Sequence, residues 1–221
     1  MRPPQNHHDN VFVPQPRQRE LGYWLSEEAA RHAPGGVTTA LRAMAWNRGQ
    51  VRGLAGAALG AGVAFTGFGI LGVASGGGPG LLVGLSAPGL ALVLFGTLMF
   101  RRIRRRRLPR VVEMAPSRGA GNVRSGLGLG TFFVLIFAGI GYPLASRLLE
   151  RGPEGGALLL GYAVMTLVFI GSVFTVPSYF LEHARRDFLA DISAEPQLRA
   201  ALEEMSLTWR DPVGTREFGP L

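Results

Sequence analysis

Hydrophobic and polar residues are segregated along this chain rather than interleaved. Four stretches, Gly53 to Ser75, Gly80 to Phe100, Leu127 to Ser146 and Ala157 to Leu181, contain no Asp, Glu, Lys, Arg or His; the charges fall before, between and after them. Each stretch holds roughly 20 residues or more, which at about 1.5 Å rise per residue covers a hydrocarbon core of about 30 Å. A soluble four-helix bundle needs a polar stripe along every helix, and none of these stretches has one. The pattern predicts an all-α, polytopic membrane protein with four transmembrane helices in two hairpins. It divides the chain into a polar segment 1–52, hairpin 53–100, a basic loop 101–126, hairpin 127–181 and a final segment 182–221.

The flanking segments carry weaker signals. Residues 1–18 are rich in Pro, Gln, Asn and His without apolar periodicity, and the expectation is disorder. Leu25 to Ala33 reads as a short helix with Ser26 as N-cap and Glu27 and Glu28 in its first turn, where negative charge suits the helix dipole. For Thr38 to Arg52 two readings stand. Leu41, Met44, Ala45 and Trp46 near one face suit a helix lying at the membrane interface, or the segment extends the first span. Beyond the fourth span, Ser193 reads as an N-cap and Pro196 falls in the first turn of an amphipathic helix whose Leu198, Leu202 and Met205 share a face. Alone that helix is too short to be stable; it is expected to dock on the membrane, on this chain or on a partner.

Charge then fixes a topology. Arg101, Arg102, Arg104, Arg105, Arg106, Arg107 and Arg110 crowd the end of the second stretch, and the loop to Arg124 sets nine arginines against the single acid Glu113. In the connection after the third stretch, Arg147 and Arg151 are balanced by Glu150 and Glu154. Positive-inside reasoning places both termini and the arginine loop in the cytoplasm, in the plasma membrane. The first fifty residues have no apolar h-region, so no cleavable signal peptide is expected. The formal charge of +8 is therefore read as topology and contact with anionic headgroups, each arginine near the surface contributing on the order of 1 kcal/mol. Nucleic acid is not expected as a partner, because no aromatics interleave the block beyond Phe100.

Two internal patterns concern packing. Val51 to Gly56 resembles Val123 to Gly128, and Leu92 to Leu98 resembles Leu167 to Val173, which aligns Gly96 with Gly171 and raises the prospect of duplicated parallel hairpins. Gly56 with Gly60, and Gly126 with Gly130, have the small-xxx-small spacing that lets membrane helices approach, inside one chain or between two. Pro88 and Pro177 remove helix hydrogen bonds and predict kinks.

Candidate chemistry is sparse. Cysteine is absent, which excludes disulfides and thiolate sites. His7, His8, His32 and His183 form no metal-ligand pattern, and Gly126-x-Gly128-x-Gly130 follows no strand and lacks a P-loop lysine. No catalytic triad or cofactor is expected, and without ionisable residues in the spans a proton relay has nothing to work with. The leading expectation is a non-enzymatic accessory, assembly or scaffolding subunit of a bacterial membrane complex, with a protein partner or a homo-oligomer. A small transporter or channel for a neutral solute is the alternative, with Thr97 and Ser172 lining a cavity. A lipid-acting interfacial enzyme using Glu113, Glu182 or Asp187 ranks third.

Overall fold

The structure is a computed structural model that describes residues 20–32, 39–105, 122–209 and 218–221. Of these, 89% are helical and none forms a strand. The expectations for residues 1–18, for Glu113 and for Arg106, Arg107 and Arg110 lie outside the described residues.

Two short helices, α1 (Leu21–Leu25) and α2 (Glu27–His32), open the described chain. Ser26 between them accepts the Ala29 amide at 3.1 Å, as its reading as an N-cap requires. Helix α3 (Ala40–Ala74) is one unbroken rod of 35 residues, so the segment before Arg52 extends the first span. The interfacial alternative fails because Leu41, Met44 and Ala45 are buried by protein.

Helix α3 ends in a Schellman turn. The Gly77 amide reaches the Gly72 carbonyl at 2.9 Å and the Gly76 amide reaches Val73 at 2.9 Å. Gly76 takes φ +96°, which a side chain would strain. Helix α4 (Pro79–Arg105) returns alongside α3. Helix α5 (Val123–Leu149) starts at the arginine-rich end, capped by the Asn122 side chain on the Ser125 amide. The carboxylate of Glu182 accepts the Val123 amide at 2.6 Å, a negative charge at a helix N-terminus.

The fourth span is composite: α6 (Pro153–Ile170), a π-helical turn (Gly171–Thr175) and α7 (Val176–Glu182). Pro177 explains the wide turn, since it offers no N–H to the carbonyl four residues back; the Val176 amide bonds to Gly171, five residues back. The chain breaks at His183 and continues as α8 (Ala184–Ala194) and α9 (Pro196–Thr208). Glu195, rather than Ser193, stands at the N-cap of α9, because α8 runs through Ser193 to Ala194.

The spans form a row. Helix α3 packs on α4 along one side and on α6, the π-turn and α7 along another, while α5 rests only on the composite span. A third of the most apolar stretch of α3 is buried, against 6% for α5. Glycine makes both seams of α3 close. On one, a Cβ added at Gly53 would lie 2.9 Å from the Pro177 Cα, and one at Gly60 would overlap the Ser172 Cβ. On the other, a Cβ at Gly62 would lie 2.5 Å from the Gly89 carbonyl. Without a hydrophobic driving force between helices in lipid, such backbone approach supplies the packing energy.

Candidate functional site at the arginine-rich end

The first turns of α3 carry apolar side chains on nearly every side, and they are enclosed by elements from both ends of the chain. Leu41 and Met44 are fully buried with Leu21, Phe188, Ile192, Leu198, Leu202, Phe218 and Leu221, and Trp24, Met205 and Trp209 pack around them. Leu198 and Leu202, the anchors expected to dock, are therefore spent on this chain's own core, and Met205 is half-buried beside them. This buried cluster is here called the cap.

Phe218 to Leu221, with a bend at Phe218 and a cis Gly219–Pro220 bond, threads between α1 and the start of α3. The Phe218 carbonyl accepts the Leu41 amide at 3.0 Å, and the Leu221 amide donates to the Trp24 carbonyl at 3.0 Å. Thr39 works twice: its hydroxyl donates to the Pro220 carbonyl at 2.6 Å and accepts the Arg42 amide as N-cap of α3. Gly219 lies on the Trp24 indole, where an added Cβ would come within 2.6 Å of the ring.

Charges fasten the cap to the spans. Arg48, 6% exposed, places Nε 2.8 Å from Asp191 Oδ2 and Nη2 3.2 Å from Glu195 Oε1. One turn on, Arg52 Nη2 bonds both oxygens of Asp191 at 2.8 Å. Two guanidinium groups thus meet two carboxylates, so the enclosed charge is balanced, the condition for burying ions at all. Outside the cluster, Arg186 is held above its usual pKa range, first by a hydrogen bond with Tyr179 and then by Asp187. Tyr179 also lies against His183, ring centroids 4.3 Å apart.

The other predicted site residues disperse. Arg101 and Arg102 are exposed at the end of α4, and the backbone of α4 continues through Arg104 and Arg105. Gly56 and Gly60 face Val176 and Ser172, and Gly126 faces Ser178, while Gly130 faces Ile170; both glycine pairs serve packing within the chain. Gly96 and Gly171 are not equivalent. A Cβ at Gly96 would press on Ala55 and Leu59 of α3, whereas one at Gly171 would meet nothing within 4 Å. Thr97 and Ser172 therefore sit by different faces of α3, and each hydroxyl donates to its own helix, to Val93 at 2.8 Å and to Phe169 at 2.8 Å.

At the opposite end, Arg151 donates to the Ser75 carbonyl at 2.9 Å, closing the C-terminus of α3 with a cation. Ser75 and Tyr162 hydroxyls meet at 3.2 Å. Among the described residues no three His, Asp or Glu side chains gather as a metal ion would need.

Sequence reasoning missed the Arg48 and Arg52 cluster. The available signal was Asp191 and Glu195, four apart on neighbouring elements and matching arginines four apart. It also missed the seat of Phe218 to Leu221, which has no periodicity to read.

Fold and site together define an all-helical protein with four helices long and apolar enough to cross a membrane, joined to a helical cap. Comparison with protein families, with curated proteins and with solved structures gives no match for this chain.

Proposed function

We propose that the protein is a non-enzymatic accessory, assembly or scaffolding subunit of a bacterial membrane complex, seated in the plasma membrane with the cap in the cytoplasm. The observation that carries this reading is the pair of edge helices. Helices α4 and α5 each pack on the bundle along one side and present long apolar faces outward, with Leu94, Leu98, Leu135 and Ile140 exposed. Four spans in a row give wide lateral faces for neighbouring membrane helices, and exposed Arg101, Arg102 and Arg124 suit anionic headgroups at the cap end.

Span hydroxyls support a structural role for the bundle. Those of Thr66, Thr97, Thr166, Ser172 and Ser178 all donate to carbonyls of their own helix. Gentle extraction in native lipid discs followed by mass spectrometry tests the proposal: a stoichiometric foreign protein beside the chain is expected. A chain recovered alone, with solute flux across vesicles, would favour the transport alternative instead.

A further inference from the structure

We infer that the outward face of the composite fourth span is a site for one anionic phospholipid with a hydroxylated headgroup, its acyl chain along the π-turn and its phosphate at Arg186. Exposed Leu160, Val164 and Leu167 recur at helical spacing on α6. Gly171, one turn further, has nothing within 4 Å of the Cβ it lacks, so the strip continues as a shallow groove. Tyr179 lies eight residues past Gly171, where a regular helix needs about 7.2 for two turns. The π-turn takes up the difference and brings Tyr179, itself exposed, round to the groove. From Leu160 to Tyr179 the rise is about 28 Å at roughly 1.5 Å per residue, close to a hydrocarbon core of about 30 Å. The phenol therefore comes at headgroup depth, and one leaflet covers about half the strip, from Tyr179 past Gly171 to Leu167.

Polar groups gather where the groove ends. The Arg186 guanidinium donates to the Tyr179 phenol oxygen, and His183 lies against the same ring, centroids 4.3 Å apart. The His183 Nδ1–H donates to the Tyr179 carbonyl at 2.9 Å, which leaves Nε2 of the neutral imidazole as an acceptor. Arg186 is two-thirds exposed and keeps donors for a phosphate, while Asp187 stands 3.4 Å from it. Glu182, the other acid at this level, is spent on the Val123 amide. A bare anion would meet Asp187 with nothing to offer it. A phosphate flanked by hydroxyls satisfies the guanidinium and also donates to the carboxylate and the imidazole nitrogen, as a glycerol headgroup does. The inference requires only that the spans lie in lipid; it depends neither on the accessory-subunit reading nor on the arginines at the end of α4.

The test uses the full chain, delipidated in detergent micelles and mixed with equal amounts of phosphatidylglycerol, phosphatidic acid and phosphatidylcholine. Bound lipids are counted by native mass spectrometry. One phosphatidylglycerol retained ahead of the other two is expected. Arg186→Gln should weaken its retention about fivefold to tenfold, whereas Arg102→Gln, at the end of α4, should not. His183→Phe keeps a ring on Tyr179 but loses Nε2, and phosphatidylglycerol should then bind no better than phosphatidic acid. Equal retention of the three lipids, unchanged retention in Arg186→Gln, or release of the lipid by millimolar inorganic phosphate would overturn the inference. Circular dichroism checks that the variants keep their helix content, and the result stands apart from whether a protein partner is found in native lipid discs.

Discussion

Arg48 of α3 and Asp191 of α8 hold opposite charges 2.8 Å apart where the longest helix leaves the bundle, and the arginine is almost wholly enclosed. Without Arg48, Asp191 keeps Arg52 while Glu195, which is partly exposed, loses its cation, and the space that the enclosed guanidinium filled is left empty. Arg48→Ala is therefore expected to loosen the cap far more than Arg31→Ala, whose pair with Glu27 is exposed and contributes at most about 1 kcal/mol. Trp24, Trp46 and Trp209 are the chain's three tryptophans and belong to the cap or the start of α3. A denaturant series followed by intrinsic fluorescence reads the difference. Equal midpoints for the two variants would mean that the enclosed cluster contributes nothing.

Thr39→Val keeps the shape of the side chain but loses both of its hydrogen bonds. Loss of an N-cap costs about 0.5–2 kcal/mol, and the Pro220 carbonyl loses its partner as well. The expected result is a lower midpoint by the same fluorescence assay, with no change in helix content of the spans by circular dichroism.

Glycine substitutions should split into two classes. Gly60→Val drives a side chain into Ser172, and overpacking of this kind costs about 1–3 kcal/mol. Gly139→Ala meets open space on α5 and exchanges a helical glycine for the best helix former, a gain of up to about 1 kcal/mol. Thermal unfolding in detergent micelles separates them; equal losses at both positions would contradict the seams described for α3.

The absence of cysteine makes topology directly measurable. Single cysteines at Arg102 and Ser193 are expected to react with an impermeant maleimide only from the cytoplasmic side of inverted vesicles, and cysteines at Gly78 and Gly152 only from the other side. Labelling of both groups from one side would disprove four crossings. Replacing Arg101, Arg102 and Arg104 to Arg107 by Gln should yield mixed orientations while preserving insertion.

The spans were legible in the sequence because lipid imposes a severe rule: a run without charge over 20 or so residues has few other uses. The close contacts of Gly56, Gly60 and Gly126 followed from their spacing, although only the structure shows that their partners lie within the chain, and Gly130 meets Ile170 at ordinary contact distance. The cap was not legible. Arg52 meets Asp191 from 139 residues away. The anchors Leu198 and Leu202 declared a docking face by their period, but nothing in a period names the surface it meets. Pro177 announced a disturbance, and its form, a π-turn rather than a kink alone, depends on how the Val176 amide finds Gly171.

The two glycine seams of α3 set an order of assembly. Helix α4 follows α3 immediately and covers the first seam as a hairpin. The second seam waits for Met165, Ser172 and Pro177, about a hundred residues later, and at ~5–20 residues per second that delay is on the order of 10 s of synthesis. Until then the glycine face of α3 is open to lipid or to any other helix nearby, and the newborn hairpin is the stage most exposed to mispairing. The same interval leaves the start of α3 without Phe188, Leu198 and Leu221, so the cap closes only when the last residues of this sequence have been made.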